Sequence, residues 1–282
     1  MTMNLVLQGP GASLALLRRI GTLARAGNMI ELNAHALRCE QVDDSSATRQ
    51  AVELAAIEAR VDATFIDAGR RLADFKLVAM DMDSTLITIE CIDEIADMQG
   101  LKAQVSAITE AAMRGELAFA ESLERRVALL KGLDAGALLR VYDERLHISI
   151  GGEAMLAAVK AAGLKTLLVS GGFTFFTERL QARLGLDFAH ANVLEIDDGK
   201  LTGRVVGGIV DAEEKKRTVA RVCAQIGIGA DQTIVMGDGA NDLQMMGIAG
   251  LSVAFRAKPV VRAQADVALN YSGLDGLLTI LD

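Results

Sequence analysis

KLVAMDMDSTL, residues 76–86, decides the fold. Leu77 to Met80 run apolar without alternation, then stop at Asp81 and Asp83, with Ser84 and Thr85 following. Such a run reads as a strand of a parallel sheet buried on both faces, and the carboxyl ends of those strands are where open α/β sheets place their chemistry. Two other stretches have the same form: KTLLVSGG (165–172) ends in Ser170, Gly171 and Gly172, and TIVMGDG (233–239) ends at Asp238. The fold expected is α/β, with a Rossmann-like core around a parallel sheet.

Between the first two strands, residues 88–160 show no convincing strand. IDEIADMQG, KAQVSAITEAAMRG, FAESLERRVALLKG and AGALLRVYDERL all carry helical apolar spacing, which predicts a helical insertion lying as a lid over the strand ends. NVLEIDDGKLTGRVVG (192–207) predicts a hairpin turning at Asp198-Gly199. DAEEKKRTVARVCAQIG (211–227) predicts a helix opened by Asp211 with Glu214 and closed by Gly227. Residues 1–75 read as a separate small α/β module. Its strands are MNLVLQ, NMIELNAHALRCE and ATFID, and its helices lie in SLALLRRIGTLARAG, closed by Gly27, and ATRQAVELAAIEARV.

The chain has 282 residues, 51% of them hydrophobic, with few aromatics, no Trp and a net charge of −8. An acidic chain is poorly suited to nucleic acid, whose binding depends on neutralising phosphates with Lys and Arg. A small phosphorylated ligand is not excluded, because a metal ion and one or two local cations can supply the field. Cys39, Cys91 and Cys223 are odd in number and widely spaced, so neither a disulfide framework nor a zinc site is expected. The start, MTMNLVLQGPGASLALLRRI, lacks both a basic leader and a bilayer-length apolar run. These features predict a soluble cytoplasmic protein with no membrane partner.

Asp81 and Asp83 end one strand on the same side. Two ionised carboxylates so close need a divalent cation or a shared proton. A polar strand end followed by a turn explains the pair equally well; a calcium loop does not, since the third acidic position and the central glycine are missing. GDGAND (237–242) adds Asp238 and Asp242 at another strand end of the same predicted sheet. Four carboxylates converging on one crevice call for a hard cation, and Mg²⁺ fits. Ser170 and the Gly171 amide open a helix as a phosphate cradle would. Lys215, near a helix start, is the cation such a site needs.

DMDST, SGG, a lysine at a helix start and GDGAND, in that order, resemble the haloacid dehalogenase superfamily of aspartate-based phosphohydrolases. DMDSTLITIECIDEIA, AAMRGELAFAESLERRVALLKG, VSGGFTFF and GDGANDLQMMGIAGLSVAFRAKP are similar to segments of its phosphoserine phosphatase family. The resemblance covers nearly all of residues 76–275 and implies a core of 76–88 and 155–282, with a small helical cap over about 89–154. It implies Asp81 as nucleophile and Asp83 as proton donor and acceptor. Mg²⁺ would be held by Asp81, the Asp83 carbonyl oxygen and Asp238, with Asp242 in support. Ser170, Gly171 and Lys215 would hold phosphate. Glu90, Met113, Phe119, Arg126 and Asn241 would hold the substrate, O-phospho-L-serine. Residues 1–75 resemble an ACT domain, with the departure that no third strand is visible between RCEQV and the helix at ATRQ. Amino-acid binding, a homodimer contact and a structural role all stay open for that module. For the whole chain, another small phosphate ester such as phosphohomoserine, phosphoryl transfer, or a non-catalytic amino-acid sensor remain as alternatives.

Overall fold

The computed structural model describes residues 2–113 and 116–282, apart from the side chain of Met113. The chain divides into one compact unit of Met1–Val78, Ile150–Lys165 and Ile228–Asp282 and a second of Ala79–Ser149 and Thr166–Gly227.

The amino-terminal part of the first unit runs β1 (Met3–Gln8), α1 (Leu14–Leu23), β2 (Asn28–Asn33), β3 (Ala36–Glu40), α2 (Ser46–Ala59) and β4 (Asp62–Asp67). Its sheet has the order β2-β3-β1-β4 with antiparallel neighbours, the split βαβ arrangement. The stretch 28–40, read as one strand from its alternation, is a hairpin. Its turn forms because Asn33 Oδ1 accepts the His35 N–H at 2.8 Å. The alternation continues into both arms, so the period alone cannot reveal the turn. No strand lies between β3 and α2, as expected; the fourth strand of the sheet comes instead from the division of 28–40 into β2 and β3. Ser13 and Ser45 cap α1 and α2, and α1 stops at Leu23, ahead of Gly27. Leu5, Leu7, Leu17, Leu37 and Val52 fill the core between helices and sheet.

The Asp62 carboxylate, 2% exposed, belongs to this unit. It accepts the N–H groups of Asn270 (2.7 Å), Tyr271 (3.2 Å) and Ser272 (2.8 Å). Gln8 Nε2 donates to the Gly276 carbonyl at 2.9 Å. The amino-terminal sheet is thus fastened to the last fifteen or so residues of the chain.

Beyond β4 come β5 (Leu77–Met80), α3 (Cys91–Asp97), α4 (Lys102–Met113), α5 (Phe119–Leu129), α6 (Gly136–Glu144), α7 (Gly152–Ala161), β6 (Lys165–Phe173), α8 (Thr174–Leu184), β7 (Phe188–Asp197) and β8 (Lys200–Val206). They are followed by α9 (Ala212–Ile226), β9 (Thr233–Gly237), α10 (Leu243–Met246), β10 (Leu251–Phe255), α11 (Pro259–Arg262), β11 (Val267–Leu269) and α12 (Gly276–Leu281). The seven-stranded sheet has the order β11-β10-β9-β5-β6-β7-β8. Pairing is parallel at β9–β10, β10–β11 and β6–β7, and antiparallel at the β7–β8 hairpin. Every residue of β5 and β9 is buried, as their unbroken apolar runs require. The hairpin turns where expected, with φ of 45° at Asp198 and 71° at Gly199, both in the left-handed region that a type I′ turn demands. Helices α3 to α6 occupy the predicted insertion, and Arg145 ties its end back to Glu94 and Asp97 on α3.

Candidate active site

Asp81 closes β5 and is 5% exposed. The chain then winds tightly: the Leu86 N–H reaches the Asp81 carbonyl (3.3 Å) and the Ile87 N–H the Met82 carbonyl (3.0 Å). Ser84 takes a left-handed φ of 54° within that loop and donates through Oγ to Glu90 Oε1 at 2.7 Å. The Cys91 N–H, at the start of α3, donates to Asp83 Oδ1 at 2.9 Å. One short loop therefore fixes Asp81, Asp83 and Glu90 against each other.

Lys215 is fully buried, and its Nζ lies 2.8 Å from Asp81 Oδ2. It projects from the first turn of α9, which Asp211 caps by accepting the Glu214 N–H at 2.9 Å. An ammonium out of water is tolerated only beside an anion. Its burial excludes the solvated helix face that EEKK suggests on composition alone.

At the end of β6, Ser170 is fully buried, and its Oγ accepts the Gly172 N–H at 2.8 Å. Gly172 has no room for a side chain: a Cβ would stand 2.6 Å from Asp83 Oδ2 and 2.9 Å from Met82 Cε. A Cβ on Gly171 would stand 3.0 Å from the Phe119 ring, so this helical-insertion aromatic covers the glycine pair. Asn192, 1% exposed on β7, sets the loop's position. Its Nδ2 donates to the Gly171 carbonyl at 2.7 Å, and its Oδ1 accepts the Val210 N–H at 2.8 Å. One side chain thus joins the glycine loop to the segment that leads into α9 and Lys215. Sequence reading passed over Asn192. Its signal was an amide standing within a strand's apolar run.

Burial, and then the nearby Glu90 carboxylate, push the Asp83 carboxyl up to about 7, against the pull of Cys91 and of the Lys215 charge. Such a group can hold a proton near neutrality. Arg126 is half-buried, which lowers its pKa, while the charges of Asp93, Glu90 and Asp83 oppose that shift. Asp93, not singled out from sequence, is the largest of those opposing charges. Glu90, Phe119 and Arg126 all belong to the second unit with Asp81, Asp83, Ser170, Gly171 and Lys215. The side chain of Met113 lies outside the described residues.

The first unit carries Asp238, Asn241 and Asp242 at the end of β9. Asp242 is fully buried, and its Oδ2 accepts the Asp238 and Gly239 N–H groups at 3.2 and 3.1 Å. Asn241 Oδ1 folds back to within 2.2 Å of where a Gly239 Cβ would be, so a side chain there would displace the Asn241 amide. Within this unit, Asp238 and Asp242 bring two carboxylates to the end of β9, acidic groups that could help hold a metal ion. An all-carboxylate donor set suits a hard divalent cation such as Mg²⁺ rather than a softer metal.

The sequence profile of haloacid dehalogenase-like hydrolases matches residues 78–247. A phosphoserine phosphatase of Polaromonas sp. (strain JS666) is 58% identical over 216 residues, 75% of this chain and 92% of that protein. The crystal structure of a probable phosphoserine phosphatase from Vibrio cholerae, 36% identical, superposes with a TM-score of 0.84 over 99% of this chain and 86% of that one. A substrate-bound phosphoserine phosphatase, 38% identical, does so with a TM-score of 0.69 over 74% of this chain and 99% of that one. Among the described residues, no helix is long and apolar enough to cross a membrane. The chain belongs to the haloacid dehalogenase-like hydrolases and, within them, to the phosphoserine phosphatase family.

Proposed function

We propose that this protein hydrolyses O-phospho-L-serine to L-serine and phosphate through an aspartyl-phosphate. The observation that carries the reading is the buried pair of Lys215 Nζ and Asp81 Oδ2 at 2.8 Å, set beside the Ser170–Gly172 loop. A carboxylate held by a buried cation is oriented for attack, and the same cation can meet the charge of an arriving phosphate.

An Asp81 oxygen attacks phosphorus and the bond to the serine oxygen breaks. Asp83 gives its proton to that departing oxygen. The resulting Asp83 carboxylate then removes a proton from water as the water oxygen attacks the aspartyl-phosphate, returning Asp81 free and Asp83 protonated. Ser170, the Gly171 N–H and Lys215 hold the non-bridging oxygens. Asp81, the Asp83 carbonyl oxygen and Asp238 would hold Mg²⁺, with Asp242 in support, and the ion would screen the anionic nucleophile from the anionic phosphate. Glu90 meets the substrate ammonium and Arg126 its carboxylate, in the forked geometry guanidinium favours. Phe119, Met113 and Asn241 complete the substrate contacts. The reading takes 76–88 and 155–282 as the catalytic core with a cap over 89–154, in a cytoplasmic protein. It gives the amino-terminal module an ACT-like role as homodimer contact, supported by the open edge of β2.

Phosphate release from L-phosphoserine, phosphothreonine, phosphohomoserine and a sugar phosphate, each with Mg²⁺ and with EDTA, tests this. Mg²⁺-dependent release favouring phosphoserine is expected, and Glu90→Gln should depress phosphoserine turnover more than sugar-phosphate turnover. Release from the other esters alone would overturn the substrate. No release, with serine still bound, would leave a sensor.

A further inference from the structure

A cavity of about 800 Å³ opens within the first unit, and none of its lining residues is among those assigned to the reaction. Pro10, from the loop after β1, forms one wall, and Arg60, at the end of α2, another. Arg256 follows β10, Arg262 ends α11, and Asn270 and Tyr271 follow β11. Among the described residues, no acidic side chain lines it. Among the described residues, none of the three arginines makes an ion pair. Arg60 lies 5.7 Å over the Tyr271 ring, Arg256 lies 5.3 Å over the Phe255 ring, and Arg262 Nη1 is 3.4 Å from the neutral Asn270 Oδ1. Asp62, two residues from Arg60, is committed to three backbone N–H groups.

Three arginines lining one cavity repel one another, and a chain of net charge −8 has acidic side chains in excess with which to neutralise them. A cluster left without carboxylates, around a space of the size that small ligands fill, is a charge arrangement completed from outside. Guanidinium forks match phosphate and carboxylate oxygens two at a time, and Tyr271 with Pro10 offers an apolar wall to the ligand's body.

We propose that this cavity is a second, non-catalytic binding site for a small molecule carrying two or more phosphate or carboxylate groups. It rests on the cavity alone and not on the proposed activity. The test is the thermal midpoint of the full chain, titrated in EDTA with pyrophosphate in one arm and citrate in the other, against sodium chloride of matched ionic strength. Ligand binding to the folded state raises the midpoint whatever its enthalpy. The wild type and Ser170→Ala, which alters the catalytic cradle, should show the same saturable rise. Arg60→Gln/Arg262→Gln should need about tenfold or more anion for the same rise, while phosphoserine turnover, which also reports intact folding, is unchanged. The single Arg262→Gln, with less lost, should fall between them. Which arm saturates at lower concentration identifies the ligand as phosphate- or carboxylate-bearing. No saturable rise beyond the chloride control, an equal rise in the double variant, or loss of the rise in Ser170→Ala would each overturn the proposal.

Discussion

Replacing Asn192 by Ala removes the one side chain that grips both the glycine loop and the entry to α9. Two hydrogen bonds go, of 2.7 Å to the Gly171 carbonyl and 2.8 Å from the Val210 N–H. Neither group gains a protein partner in exchange. Leaving a buried polar group unsatisfied costs about 1–3 kcal/mol, so the pair should cost roughly 2–6 kcal/mol of folding stability, less whatever water enters the space. Asn192→Asp separates positioning from mere stability. It keeps the acceptor for Val210 but points a second oxygen at the Gly171 carbonyl, where a donor is needed. We expect it to lose less stability than Asn192→Ala, about 1–3 kcal/mol, and yet to lower kcat/KM for phosphoserine by about tenfold or more as the Gly171 N–H moves off the phosphate. Urea unfolding with the slope checked for constancy measures the first quantity, and steady-state turnover the second. Stability losses under about 0.5 kcal/mol with unaltered kcat/KM in both variants would refute the latch.

Gly172→Ala should lower turnover sharply with little loss of fold, because the new methyl would occupy space 2.6 Å from Asp83 Oδ2; circular dichroism and phosphate release read the two effects apart. Lys215→Met leaves the Asp81 charge without its buried partner, a change that costs about 3–5 kcal/mol where no other cation compensates. Turnover should be lost, and Mg²⁺ should raise the melting temperature of this variant more than that of the wild type. The buried thiols should be inert in the native state. Burial pushes Cys39 up to about 11 and raises Cys91 and Cys223 as well, so at pH 8 only about 0.1% of a Cys39-like thiol is thiolate. A maleimide should label none rapidly before unfolding and all three cysteines after it.

The strands that carry the chemistry were legible because double-sided burial writes an unbroken apolar run, and β5 and β9 are buried at every position. Asp198-Gly199 was legible for a different reason: its turn needs positive φ at both residues, which few dipeptides supply. The β2–β3 turn was not legible, since a single hydrogen bond from His35 to Asn33 makes it and no glycine or proline marks it. Within the site, Lys215 was expected as a cation for phosphate, but its 2.8 Å contact with Asp81 was not foreseen. Its depth of burial is a tertiary property. Asn192 stayed hidden because its role is a pair of contacts to backbone groups about twenty residues away on either side. No local pattern encodes contacts of that kind.

The fastening of Asp62 to residues 270–272 bears on how the chain is made. The ribosome delivers the amino-terminal sheet well before the N–H groups that satisfy Asp62 and the carbonyl that receives Gln8, which lie more than 200 residues further on. At typical rates of 5–20 residues per second, that leaves roughly 10 to 40 s during which the nascent module holds a carboxylate that must stay hydrated. The module can collapse early on its own core, yet it is sealed only once residues 270–276 have been made. A protein released short of β11 would therefore betray itself at its opposite end, through a loosened β4. Proteolysis within the amino-terminal module becomes a readout of whether synthesis has passed residue 276.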